Sequence, residues 1–228
     1  MLIFIITWIF IKIIYFFLLM SDNTQEVINM HEKTVDLLRR KLYPGKVYRR
    51  ADLALFSSNV DRHLKTLVQE GALTKLQNGL YLCPRQSTFG EVPAEVNKLL
   101  ERFLKSSKFL VYSPNSFNSL GLGTTQLYNL PVVLNQKRHG KLSLGERTFF
   151  FQRRLNVPRE MTKEVLLVEL LNNLKMVPEE QGQLLEALNQ KLPDFDKKTL
   201  EKSAKRYGTY STQKRLHDLL ENNLTYAS

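Results

Sequence analysis

Between Gly45 and Pro84 the chain carries two short helical patterns that meet at Ser57-Ser58, followed at once by a two-stranded ribbon with a tight turn at Gln77-Asn78-Gly79. Few folds accept that order at that spacing. It is the pattern of a winged helix-turn-helix, in which a small apolar core presents one helix and a hairpin to a nucleic-acid groove. Ala51, Leu53, Ala54 and Phe56 supply the apolar positions of the first helix, and Ser57 or Ser58 can cap the second. In the second helix Val60, Leu64, Leu67 and Val68 recur at i, i+4, i+7 and i+8, which predicts one stripe for the core. Asn59, Arg62, His63, Lys65, Thr66 and Gln69 are then expected to face outward, as groups able to reach base edges and phosphates. Gly71 ends the helix. Ala72–Leu76 and Leu80–Leu82 form the predicted wing, with Asn78-Gly79 as its two-residue turn.

Charge points the same way. From Arg39 to Arg85 ten Lys and Arg stand against three acids, a net of +7. Such an excess favours phosphate contacts and predicts salt-sensitive affinity. Arg49 and Arg50 before the first helix, and Lys75 and Asn78 on the wing, complete the expected contact set. A plain solvated face and a protein-binding winged helix are the competing readings of the same stretch. Across 228 residues the net charge is +11, which selects polyanions or anionic surfaces as partners without selecting a fold. The single cysteine, Cys83, excludes an internal disulfide and reads as a packing residue at the end of the wing.

The remaining chain reads as α+β. An amphipathic helix over 24–41 leads into the winged domain, which spans 24–85. Pro84 to Phe89 reads as a linker, and 90–228 as a mixed α/β domain with a helical C-terminal part. Within it Pro93 opens a helix, Phe109–Tyr112 reads as a buried strand, and Pro114–Gly123 as a short helix closed by glycines. Strands follow at Pro131–Leu134, Lys141–Leu144 and Thr148–Gln152, then helices at 162–174, 178–190, 196–207 and 211–222. Gly208 separates the last two at the position of a helix stop. A second basic cluster, Lys137 to Arg159, holds seven cations and one acid, and reads equally as an extended DNA footprint, a site for an acidic partner or a sheet rim.

Catalytic and metal-binding patterns are missing from the sequence. His31, His63, His139 and His217 lack ligand spacing, and neither a phosphate-binding P-loop nor a nucleophile elbow occurs. No cofactor, catalytic residue or metal is therefore expected. Gly121-Leu122-Gly123-Thr124-Thr125 reads as a turn.

Residues 1–20, MLIFIITWIFIKIIYFFLLM, stand apart from this pattern. They are long and apolar enough to span a bilayer. A signal peptide is disfavoured because there is no basic start and no small-residue cleavage site. Lys12 would cost about 2.5–3.5 kcal/mol at mid-span, and Met20-Ser21-Asp22 reads as an ordinary cytoplasmic amino terminus. The expectation is translation upstream of a start at Met20 and a cytoplasmic protein. The alternative is a membrane-anchored winged-helix interaction or sensor protein, single-pass in the inner membrane.

The run YPGKVYRRADL…VDRHLKTLVQEGALTKLQNGLYLCP, with FGEVP and NSFNSLGLGTTQ after it, resembles the AbiEi-type antitoxins of bacterial type IV toxin–antitoxin systems. The similarity covers roughly residues 35 to 155, and AKRYGTYSTQKRLHDLL faintly resembles the closing helices of that family. The resemblance implies an amino-terminal winged helix that binds operator DNA and represses its own operon. It also implies a carboxy-terminal domain that counters a nucleotidyltransferase-like toxin, and no enzymatic activity. Residue by residue it puts DNA contacts on Arg49, Arg50, Ser58, Asn59, Arg62, His63, Lys65, Lys75 and Asn78.

Overall fold

Apolar periodicity divides the chain into two sets of elements, and each set closes a core of its own. The structure, a computed structural model, describes residues 34–88, 90–124, 130–177 and 179–226, the last five by backbone alone. The hydrophobic segment 1–20 and the start of the helix expected from residue 24 lie outside the described residues. The fold is mixed α/β with a helical C-terminal region. It forms two compact units, Met1–Phe103 and Leu104–Ser228.

Unit 1 begins with a helical stretch at 34–39 (α1), then β1 (Val47–Arg49), α2 (Arg50–Ala54) and α3 (Val60–Gln69). β2 (Thr74–Gln77) and β3 (Leu80–Leu82) follow, and the sheet order is β1-β3-β2, antiparallel throughout. Val35 and Leu38 of α1, Leu53 of α2, Val60, Leu64 and Leu67 of α3, and Leu73 and Cys83 share one core. Burial pushes the Cys83 thiol above its ordinary value, as expected of a packing cysteine. In the β2–β3 turn only Gly79 is left-handed, at φ +75°, whereas Asn78 keeps a negative φ. A register shift between Lys75 and Gln77 gives β2 an extra residue at that point.

Two expectations for this unit are corrected. Phe56 is not a core residue: α2 ends at Ala54, two residues short, so Leu55 and Phe56 are left 81% and 49% exposed. The expected linker after Pro84 is instead a hairpin, with β4 (Arg85–Ser87) paired to β5 (Gly90–Val92). The polar run Arg85-Gln86-Ser87 satisfies its backbone by pairing, although its side chains are exposed. α4 (Val96–Leu104) follows.

Unit 2 is built on a four-stranded sheet of order β6-β7-β9-β8. Its strands are β6 (Phe109–Tyr112), β7 (Val132–Asn135), β8 (Gly140–Leu144) and β9 (Arg147–Arg153). β7 and β9 run parallel and the other pairs antiparallel. Asn135, 1% exposed, builds the β7–β8 turn: its Oδ1 accepts from the Lys137 and Arg138 amides at 2.8 and 2.6 Å. α5 (Lys163–Asn172) is buried from Val165 to Leu171, and its leucines join Val132, Leu134 and Phe150 of the sheet in one core. A helix that is apolar nearly all round must be covered on all sides. α6 (Gln181–Lys191), α7 (Lys197–Tyr207) and α8 (Tyr210–Tyr226) contribute Leu184, Leu188, Leu200, Ala204 and Leu216 to that core.

Glycines act locally and for different reasons. Gly121 is left-handed at φ +65° and ends a 3₁₀ turn, Pro114–Leu120, that Ser113 caps through the Asn115 amide. Gly208 ends α7 but is extended, at φ −73° and ψ 144°. It is required because a Cβ there would lie 2.5 Å from the Ala204 carbonyl oxygen. Glycine serves here for closeness, not handedness.

Truncating either core should be costly. Leu64→Ala and Leu167→Ala, at 1% and 0% exposure, are each expected to lose about 2–5 kcal/mol in urea unfolding. A loss below about 0.5 kcal/mol at either site would contradict the packing described.

Candidate nucleic-acid interface

α3 is amphipathic because its apolar residues recur at helical spacing, and burial of Val60, Leu64 and Leu67 decides which side faces solvent. Exposed on that side are Arg62, Lys65 and Gln69, with Ser58 and Asn59 at its N-terminal end. Asn59 is the N-cap residue, yet its side chain makes no capping bond. Lys75 on β2 and Asn78 at the turn are exposed on the ribbon that follows. Thr66 is half-buried, and its hydroxyl donates to the Arg62 carbonyl at 3.2 Å, so it is partly engaged within the helix.

Three members of the expected contact set have other employment. His63 is 3% exposed, with Nδ1 2.7 Å from the buried Ser57 hydroxyl. The outward expectation for His63 is thus corrected: the residue sits beside Leu64 on the core side, and its polar ring is accommodated by the serine that breaks the two helices. Arg50 turns its fork onto Asp61, with Nε and Nη2 each 2.6 Å from a carboxylate oxygen. Its amide also donates to the Gly79 carbonyl at 2.9 Å. Arg50 therefore joins the start of α2, the first turn of α3 and the ribbon turn, and its guanidinium is not free to reach a ligand. Arg49 is half-buried, and its amide donates to Asp52 Oδ2 at 3.2 Å, bracing the first turn of α2.

The acids of this segment explain why its surface stays basic. Asp52, Asp61 and Glu70 each lie in an ion pair, with Arg102 at 3.4 Å, Arg50 at 2.6 Å and Arg39 at 2.5 Å. No carboxylate of the stretch 39–85 is left uncompensated beside the exposed face of α3. Arg62, Lys65, Lys75 and Arg85 take part in no ion pair among the described residues. Phosphate oxygens could compete for those cations without breaking an internal bond.

The second basic cluster is more engaged than its composition suggests. Lys137 Nζ donates to the carbonyls of Leu104 and Lys105 at 2.8 and 2.9 Å. Arg154 turns inward to Glu169, which is 1% exposed, at 3.1 Å. Gln152 and Asn173 join that network, through an amide contact of 2.9 Å and an Asn173 bond of 2.7 Å to the Glu169 carbonyl. Tyr112 lies near it, and burial first, then the Glu169 charge, raises its phenol far above the usual range. The sequence signal for this network was available: Glu169 is an acid inside the apolar run VLLVELL. Among the described residues no group of three or more His, Cys, Asp or Glu could hold a metal ion. No helix among them is long and apolar enough to cross a membrane.

No family model and no curated protein matches the chain. Among solved structures it is similar to the RV2827C protein from Mycobacterium tuberculosis, with a TM-score of 0.49 and 15% identity over 84% of this chain and 76% of that one.

The clasp between Arg50 and Asp61 has a pH signature. Hydrogen bonding from Arg50 holds the Asp61 carboxyl below its ordinary 3.8; desolvation opposes that shift, and the attraction of the same guanidinium adds to it. The native state thus binds fewer protons than the unfolded chain in this range. The contribution of the clasp is complete above about 3.8 and is lost as pH falls through the lower native value. In a carboxyl-carbon NMR titration Asp61 should titrate below 3.8, and Arg50→Ala should move it back toward that value. A midpoint unmoved by Arg50→Ala would contradict the clasp.

Proposed function

We propose that unit 1 is a winged helix-turn-helix that binds double-stranded DNA, with α3 as the reading helix and the β2–β3 ribbon as the wing. The observation that carries this reading is the exposed polar face of α3. It presents Asn59, Arg62, Lys65 and Gln69 on a background where each acid of the stretch 39–85 is already paired. Lengths support it too. α3 has ten residues, about 15 Å, enough to lie across a major groove about 12 Å wide. Arg62 and Lys65, one turn apart, suit a guanine edge or flanking phosphates, and Asn59 suits an adenine edge. Lys75 and Arg85 fit backbone contacts that position the module without reading sequence.

The resemblance to AbiEi-type antitoxins extends this proposal to physiology. The chain then represses its own operon in the cytoplasm, while unit 2 serves the antitoxin role against a nucleotidyltransferase-like toxin. Neither role needs a cofactor or a catalytic residue. Operator DNA is the first partner and the cognate toxin system the second. Arg49, Arg50 and His63 leave the contact set in this reading and become supports for it.

Binding to the duplex upstream of the chain's own gene, followed by fluorescence anisotropy, tests the DNA half. Four phosphate contacts predict a log–log salt slope of about −3.6, a loss of roughly 10²-fold between about 50 and 200 mM salt. Arg62→Ala with Lys65→Ala should weaken binding by at least about tenfold. Asp61→Asn should leave the sequence preference intact. Affinity indifferent to salt, or to the double substitution, would defeat the proposal. Growth rescue on co-expression with a toxic neighbouring gene product tests the antitoxin half, and absence of rescue would defeat that half alone.

A further inference from the structure

α7 and α8 leave an open groove between them that the described residues of unit 2 do not fill. Its volume is about 460 Å³. Ala204, Leu216 and Leu220 make its floor, and Tyr210, 84% exposed, stands at one end. The rim is cationic. Lys205 from α7 and Lys214 from α8 line it, with His217 one turn further along α8. Glu201 is the acid among the lining residues, and it lies 4.0 Å from Lys197 on its own helix. Lys205 and Lys214 have no ion pair among the described residues. Asp218 and Glu221 belong to the same helix but do not line the groove.

α7 and α8 both pack on α5, and the groove lies along residues that each of them presents at helical spacing. On α8 the lining residues Tyr210, Gln213, Lys214, His217 and Leu220 recur at three- and four-residue steps, so they form one face. On α7 Glu201, Ala204 and Lys205 do the same. Leu200, Ala204 and Leu216 already serve the core of unit 2, whereas Leu219 and Leu220 are only half-buried. An apolar floor flanked by one lysine from each helix, Lys205 and Lys214, selects an occupant that is apolar along one stripe and anionic on both sides of it. An amphipathic helix with Leu-type anchors at i, i+3/i+4 and i+7 and flanking Glu or Asp has that form.

We infer that the α7–α8 groove is a docking site for an acidic amphipathic helix of a partner protein. This inference is independent of DNA binding by unit 1 and adds a protein interface to unit 2. The helix lies along the groove, sets its apolar stripe on Leu220 and the Tyr210 ring above the buried Ala204 and Leu216, and pairs its carboxylates with Lys205 and Lys214. Tyr210 covers one end of the stripe.

The test uses the full chain and two labelled, helix-stapled peptides of identical Leu stripe, one with Glu and the other with Lys at every flanking position. The Glu peptide should bind, and the Lys peptide should bind at least about tenfold more weakly, since two charge pairs change sign. Lys205→Glu with Lys214→Glu should invert that preference, and Leu220→Asp should weaken both peptides, with circular dichroism unchanged in each variant. Equal binding of the two peptides, or a preference that survives the double reversal, would overturn the inference. So would sedimentation showing that the groove is closed by a second copy of the chain at the peptide assay concentration.

Discussion

Burial of the α3 stripe is the constraint on which the rest of unit 1 depends. Val60, Leu64 and Leu67 lose nearly all their exposure to the same core as Leu38, Leu53 and Leu73. Three leucine-sized side chains contribute roughly 5–8 kcal/mol of burial, more than any surface ion pair nearby can offer. The rotation of α3 is therefore set by its apolar side, and its polar side faces solvent as a consequence. Everything proposed about binding follows from which residues that rotation leaves outside. The Arg50–Asp61 clasp and the Arg50–Gly79 bond then hold the ribbon turn near the start of that helix.

Electrostatics refines what packing decides. A net of +7 over the segment is a statement about composition, and composition does not say which charges are available. The structure separates them. Arg39 and Arg50 compensate Glu70 and Asp61, and the remaining exposed cations keep their capacity for a polyanion. In unit 2 the same bookkeeping reduces the apparent basic cluster, because Lys137 and Arg154 are bound to groups of the fold. Pairing turns a charge count into a surface.

How much of this was legible in the sequence depends on the kind of signal. The α3 stripe, the ribbon and the four C-terminal helices rest on periodicity, which survives translation into structure, and their expected bounds lie within about four residues of those observed. Phe56 and His63 rest on polarity alone and were assigned to the wrong sides. A phenylalanine at a helix end can be exposed once the helix stops two residues early. A histidine can be buried once a neighbouring serine accommodates its ring. The hairpin at Arg85–Val92 was not visible, because a short polar run gives no alternation to read. The parallel pairing of β7 with β9 was equally hidden, since strand order is a long-range property. The Glu169 network belongs to the same class: its acid was readable, but its partners at 152, 154 and 173 meet only in the fold.

If α3 and the ribbon form one surface for duplex DNA, both should be shielded together when the duplex binds. Hydrogen–deuterium exchange of the full chain, with and without the duplex from its own upstream region, reads that shielding. Slower exchange on DNA binding is expected over residues 58–69 and 74–80, with little change across the sheet of unit 2. Protection confined to 137–159, or none at all in a complex that demonstrably forms, would contradict it.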